Sequence, residues 1–166
     1  MRKYPDSLRI GRGLLLAWAC AWAPLALADR GWVVAVIDGD TVDVLTQEGA
    51  QRRRLRLEGI DAPEICQDGG PAARLALARS VLMRQVDYEV RREDDYGRGV
   101  ARLWLDGEDM AARLVRDGHA WSSRYRRGQG PYIQQEMEAR AAGRGVFAQA
   151  APEEPRDFRR RHGSCR

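Results

Sequence analysis

Short β-branched runs dominate the first half of the chain. Trp32–Ile37 and Thr41–Leu45 each predict one strand, and Asp38-Gly39 between them is a hairpin turn signal. Over Arg52–Ile60 the period is two: Leu55 and Leu57 share one face, while Arg54, Arg56 and Glu58 share the other. Gly49 marks the turn before that run. The period then lengthens. Pro71 to about Arg84 predicts a helix with Pro71 near its first position and Leu75, Ala78 and Leu82 on one stripe. Val86–Arg92 and Val100–Leu105 predict two more strands around an Asp94–Gly97 turn, and Asp106-Gly107 turns the chain again. Asp109–Asp117 predicts a short helix stopped by Gly118, with Met110 and Leu114 inward. After the Gly128-Gln129-Gly130 loop, Pro131 opens a third helix to about Ala142, with Ile133 and Met137 one turn apart. Residues 151–166 are rich in Pro, Arg and Glu and predict an irregular tail.

This element order is α+β, and it suggests a small β-barrel with helical additions. Five strands can also form an open sheet, so periodicity by itself stops at the class. Residues 29–150 show neither an internal repeat nor a linker and make one domain.

The first 28 residues stand apart. Arg2, Lys3, Arg9 and Arg12 precede an apolar run from Leu14 to about Leu25, and Ala26-Leu27-Ala28 fits a small-x-small cleavage site. That layout predicts a secretory signal peptide cut before Asp29, and a periplasmic or secreted protein. The run contains Pro24 and is short of the roughly 20 residues a membrane span needs. Trp18, two residues before Cys20, is a poor fit to a lipidation site. After cleavage no membrane attachment is expected.

The leader changes the meaning of the charge. The whole chain carries 28 basic and 24 acidic residues, a net +4 with a pI of about 9.3. Without the leader's four basic residues and Asp6, the domain and tail hold 24 arginines, no lysine and 23 acids, a net +1. A broad electrostatic grip on a polyanion is therefore not expected. Recognition has to come from particular arginines, whose planar forks suit phosphate.

Three acids sit where the chain is locally stiff. Asp40 leaves the Asp38-Gly39 turn, and Asp61 and Glu64 flank Pro63 where a strand ends. Pro63 holds Ala62 extended. Carboxylates on rigid turns and strand ends suit a hard cation, Ca²⁺ or Mg²⁺. Taken singly, Asp40 reads as turn chemistry and Glu64 as an exposed loop charge. Arg56 lies five residues before Asp61, and Arg98 lies between Gly97 and Gly99. Two arginines beside a cation are what phosphoryl chemistry uses to hold phosphate oxygens and offset developing charge.

Taken together, Asp38-Gly39-Asp40-Thr41, Arg56-x4-Asp61-x-Pro63-Glu64 and Tyr96-Gly97-Arg98, in this order and spacing, closely resemble the thermonuclease family, the staphylococcal-nuclease-like domains. The resemblance runs from about Val33 to Phe147 and includes Gly70-Pro71 and Leu114–Ala120. It implies an OB-type five-stranded barrel with three helices. It implies Ca²⁺ held by the carboxylates of Asp40 and Asp61 and the backbone carbonyl of Ala62. It gives Glu64 the attacking water, and Arg56 and Arg98 the phosphate. The implied reaction is hydrolysis of DNA and RNA phosphodiesters, with the 5′-oxygen leaving and a 3′-phosphate remaining. Tyr96 and Tyr125 are the candidates for stacking on nucleotides, and Trp121 nearby reads first as a core residue. The implied protein is a monomer with no obligate protein partner.

The sequence also departs from the family pattern. The loop Ile65–Gly69 is short, Ala62 stands where threonine is frequent, and Asp95 stands where the best-known member has a lysine. Cys66 and Cys165 are the two cysteines left after cleavage; they either pair, which ties the tail to the loop beside Glu64, or stay free. Arg159-Arg160-Arg161 reads as a solvated stretch of tail. Two rival classes use the same chain differently. A non-catalytic OB-fold nucleic-acid-binding module would need the arginines but not the acids. A structural domain that binds a protein partner would need neither.

Overall fold

The strand Arg52–Leu57 becomes the seam of a closed barrel. The computed structural model describes residues 28–47, 51–123 and 128–165. Apart from Ala28 the predicted leader lies outside them, as do Gly49 and Tyr125. Strands β1 (Asp29–Val36), β2 (Thr41–Thr46) and β3 (Arg52–Leu57) form an antiparallel meander. The two-residue β4 (Ile60–Asp61) follows, then helix α1 (Gly70–Val81), β5 (Gln85–Glu93), β6 (Gly99–Leu105) and β7 (Glu108–Asp109). Next come α2 (Met110–Arg116), β8 (Trp121–Ser122), α3 (Ile133–Ala141), a 3₁₀ turn at Gly145–Ala148 and α4 (Pro155–His162).

The sheet runs β3-β2-β1-β5-β6-β7, and β3 closes it by pairing in parallel with β6. Leu55 lies opposite Gly99 at that seam, where a side chain on Gly99 would meet Leu55. The five long strands thus make the OB-type barrel, in an α+β fold with one helix more than expected. Closure buries Val33, Val42, Val44, Leu55, Leu57, Val86, Tyr88 and Leu103 in one core. Arg54 and Arg56 alternate outward from β3, which carries the second to the site.

Helix α1 forms where the sequence places it, but on a different face. Leu75 and Leu82 are 48% and 42% exposed, and Ala73, Leu77 and Val81 are buried instead. Close approach explains the rotation. A side-chain carbon on Gly39 would lie 2.7 Å from both Ala62 and Ala73, and one on Gly70 would lie 1.9 Å from the Glu64 carbonyl. Only the small face of α1 fits against the Asp38–Asp40 turn and the Glu64 loop.

Helix α2 is capped by Asp109, whose side chain accepts from the backbone N–H groups of Ala111 and Ala112. It buries Met110 and Leu114 as expected, and Gly118 follows it. Helix α3 buries Glu136 and Ala139 and leaves Met137 57% exposed, so its inner face is not the Ile133–Met137 stripe. The tail also differs from expectation: Pro155–His162 is helical, with Pro155 in the first turn and arginines in the last, where they suit the helix dipole.

Candidate active site

The site lies where the Asp38–Asp40 turn, the outer face of β3 and the end of β4 meet. Asp38 accepts from the backbone N–H of Asp40 at 3.0 Å and fixes the turn. The Asp40 carboxylate is buried. Its Oδ1 accepts from Arg56 Nη1 at 2.8 Å and from the Thr41 hydroxyl at 3.0 Å, and its Oδ2 accepts from the Ala62 N–H at 3.0 Å. Burial pushes the Asp40 carboxyl up to about 7, against the pull of Arg56. Burial thus outweighs the three donors that surround this carboxylate.

Asp61 is aimed into the same place by the pairing of β4 with β8, in which it lies opposite Trp121. Its Oδ1 accepts from Arg56 Nη2 at 2.9 Å. One guanidinium thus spans Asp40 and Asp61 with two of its five N–H groups, and the rest stay available. Burial disfavours the Arg56 charge, but Asp40 and Asp61 outweigh it and raise its pKa above the ordinary arginine value.

The short loop after Pro63 sets Glu64. Gln67 donates its backbone N–H to the Glu64 carbonyl at 2.8 Å, and its side-chain oxygen accepts from the Glu64 N–H at 3.2 Å. Gly70 N–H then closes on the Gln67 carbonyl at 2.9 Å. The Glu64 carboxylate joins Asp61 through a residue that sequence reasoning missed. Arg159 of α4 donates Nη2 to Asp61 Oδ2 at 2.8 Å, and Nη1 to Asp61 Oδ1 at 3.1 Å and Glu64 Oε1 at 3.0 Å. Those hydrogen bonds to Asp61 raise the Arg159 pKa. The signal that could have found it was Cys66–Cys165, which is bonded here with Cα atoms 5.9 Å apart and brings the tail to this loop.

Arg98 lies on the turn between β5 and β6, in a groove that Asp40, Arg56, Asp61 and Glu64 do not line. Its Nε donates to Asp94 Oδ2 at 2.7 Å, and it shares that open groove with Asp43, Arg52, Arg54 and Tyr96. Its guanidinium lies 5.3 Å from the centre of the Tyr96 ring, which is itself 84% exposed. Tyr96 thus presents an open ring to solvent. Trp121 does not: it is buried edge-on to Phe147, with ring centres 5.3 Å apart. Tyr125, the other stacking candidate, lies outside the described residues.

A hard cation fits this donor set. Asp40 and Asp61 are oxygen donors held one guanidinium apart, and burial disfavours the charged form of the first. Among the described residues no three His, Cys, Asp or Glu side chains gather as a metal cage. Two carboxylates and a carbonyl would leave the remaining positions of such an ion to water and substrate.

Comparison with known proteins identifies the family. The sequence profile of the family described as Staphylococcal nuclease homologue matches residues 54–149. Protein ParB of Escherichia coli is 36% identical over 164 residues, covering 92% of this chain and 89% of that protein. Micrococcal nuclease of Shigella flexneri is 32% identical over 158 residues, covering 89% of this chain and 87% of that protein. The probable staphylococcal-like nuclease CAN2 of Oryza sativa subsp. japonica is 33% identical over 117 residues, 70% of this chain but 32% of that longer protein. The barrel, the placement of Asp40, Arg56, Asp61 and Glu64, and these matches lead to one assignment: the chain belongs to the staphylococcal nuclease homologue family.

Proposed function

We propose that this protein is an exported, Ca²⁺-dependent nuclease that hydrolyses phosphodiester bonds of DNA and RNA and leaves 3′-phosphates. Family membership and the nuclease names of its relatives support hydrolysis of nucleic acid. The leader-like first 28 residues support export to a periplasm or beyond the cell. The observation that carries the reading is the single Arg56 guanidinium shared by Asp40 and Asp61, with Glu64 at the edge of the same cluster.

Asp40, Asp61 and the Ala62 carbonyl would hold the ion, which when bound supplies Lewis-acid polarisation of the phosphate. Glu64 orients a water and takes its proton as that oxygen bonds to phosphorus in line with the departing 5′-oxygen. Arg56 has N–H groups left over from its two carboxylates to meet a phosphate oxygen. Arg98 spends Nε on Asp94, which leaves both Nη groups for the same task. Each well-placed donor of this kind contributes about 3–4 kcal/mol to the transition state. Tyr96 offers its exposed ring to a base beside the phosphate. The protein acts as a monomer and needs no protein partner.

Incubation with single-stranded DNA, first with Ca²⁺ and then with excess chelator, tests this reading. Cleavage that stops on chelation is expected. Full activity in chelator overturns the calcium mechanism, and retention of DNA without cleavage identifies a non-catalytic OB-fold module instead.

A further inference from the structure

Helix α4 is held to the barrel in an unusual way. Eight residues are too few for a helix stable by itself, and Pro155 is the residue it buries. The apolar side chains it offers are Pro155 and Phe158, the latter half-buried beside Trp121 and Val146. The other fastenings are polar and covalent. Gln67 donates its side-chain nitrogen to the Glu153 carbonyl at 2.7 Å, just before the helix. Arg161 pairs with Glu153. Gly163, at φ 77°, turns the chain out of the helix towards Cys165, which is bonded to Cys66 two residues after Glu64. Among the described residues, this assembly sends the Arg159 side chain into the site.

Arg159 meets both oxygens of Asp61 and one of Glu64, in three hydrogen bonds of 2.8–3.1 Å. Those are the oxygens assigned above to the ion and to the attacking water. A guanidinium there and a divalent cation on Asp61 draw on the same lone pairs. We infer that Arg159 is a built-in competitor for the cation, and that the Cys66–Cys165 disulfide is the staple that keeps it in place. The inference rests on the calcium reading of Asp40 and Asp61. The arrangement gives the site a resident positive charge that cation and substrate displace together. Cation entry swings Arg159 off Asp61 while the tail stays tethered at Cys165. The consequence is a higher calcium threshold in the disulfide-bonded protein.

Calorimetric titration of Ca²⁺ into the disulfide-bonded protein tests this without reference to turnover. The wild type, Arg159→Ala, the Cys66→Ala/Cys165→Ala double variant and Asp61→Asn are compared. Removal of three charge-assisted hydrogen bonds from the acids predicts calcium binding about tenfold tighter, or more, in Arg159→Ala. The double cysteine variant should tighten in the same direction by less, because a loose tail still carries Arg159. A merely structural arginine predicts the opposite sign, since its loss would loosen the site. Unchanged or weaker binding in Arg159→Ala, with binding in the wild type and none in Asp61→Asn, overturns the competitor and leaves the calcium site standing. Absence of binding in the wild type and Arg159→Ala alike overturns both.

Discussion

Arg98 grips Asp94 twice, with its Nε on Oδ2 at 2.7 Å and its backbone N–H on Oδ1 at 2.9 Å. The carboxylate also accepts from the Tyr96 N–H at 3.0 Å, and Gly97, at φ 72°, supplies the left-handed bend that the turn requires. Burial works against the Asp94 charge, but these donors outweigh it and hold the carboxyl below the usual aspartate range. Asp94 therefore aims Arg98 while leaving its two terminal nitrogens uncommitted. It is a positioning residue for the proposed chemistry. Asp94→Ala should keep the fold and lower kcat by about tenfold, with a smaller change in KM. Asp94→Asn should recover part of the loss because it still accepts from the backbone. In an Arg98→Ala background the Asp94 change should have no further effect, and a full second loss in that double variant would show that Asp94 acts elsewhere.

The strand that lies opposite Asp61 depends on a buried acid. Glu136 of α3 accepts from the Ser122 backbone N–H at 2.8 Å and from Arg140 Nε at 2.8 Å. Ser122 in turn lies opposite Ile60, the neighbour of Asp61. Glu136→Ala leaves the Ser122 N–H buried without that acceptor and should cost about 3 kcal/mol, read as a shift in the urea midpoint at unchanged slope. Glu136→Gln keeps an acceptor and should lose less. Equal losses in the two variants would mean that the carboxylate charge facing Arg140, and not a neutral acceptor for the Ser122 N–H, sets the cost.

Most of the site was legible because it is local. Asp40 sits two residues past its own turn acceptor, and Arg56, Asp61 and Glu64 lie within nine consecutive residues spanning a strand end and a proline-stiffened loop. Turn chemistry and strand alternation place such residues without knowledge of the rest of the fold. Arg159 was not legible, because its partners lie 95 and 98 residues away and no local periodicity encodes that distance. The faces of α1 and α3 were misjudged for a different reason. Leu75, Leu82 and Met137 have the right spacing for a core, but close contacts at Gly39 and Gly70 select the small face of α1, and the Ser122 N–H selects Glu136 on α3. Hydrophobic pattern counts apolar residues, whereas these helices are oriented by steric fit and by a buried polar demand. Arg156, Arg159, Arg160 and Arg161 disguised α4 in the same way, since its helix is held by the site and the disulfide rather than by an apolar stripe.

Asp43 predicts how the barrel responds to acid. Its carboxylate is buried on the outside of β2 and receives Arg54 Nε at 2.8 Å, Arg54 Nη2 at 3.0 Å and Arg52 Nε at 2.9 Å. The hydrogen bonds from Arg54 are the main reason its pKa falls below 3.8. A carboxyl depressed on folding contributes stability that is fully present above its unfolded pKa and disappears as pH drops through the folded one. Both arginines are about half exposed, so solvent screening holds the contribution to roughly 1 kcal/mol. Asp43→Asn should be less stable than the wild type at pH 7, and the gap should narrow as pH falls below 3.8. Urea midpoints at pH 7, 5 and 3 measure it. A gap that stays constant across that range would show that the charge on Asp43 contributes nothing.

The disulfide separates the stability of the tail from that of the barrel. Cys66 and Cys165 are 99 residues apart, and closing so long a loop stabilises by up to about 4–5 kcal/mol in the chain-entropy account. That figure is an upper bound here. When the bond is reduced, α4 has Pro155 and Phe158 as the apolar side chains to hold it, so the native state also regains freedom and the net loss shrinks. Reduction by a dithiol should therefore lower the urea midpoint by less than the loop length implies. It should also expose Arg156, Arg159, Arg160 and Arg161 to trypsin well before the barrel is cut. The expected product is a protease-resistant body that has lost its tail, while the non-reduced protein gives no thiol titre at either cysteine and resists trypsin at the same sites. Simultaneous digestion of barrel and tail after reduction would show that the staple supports the whole fold, not only the helix that carries Arg159.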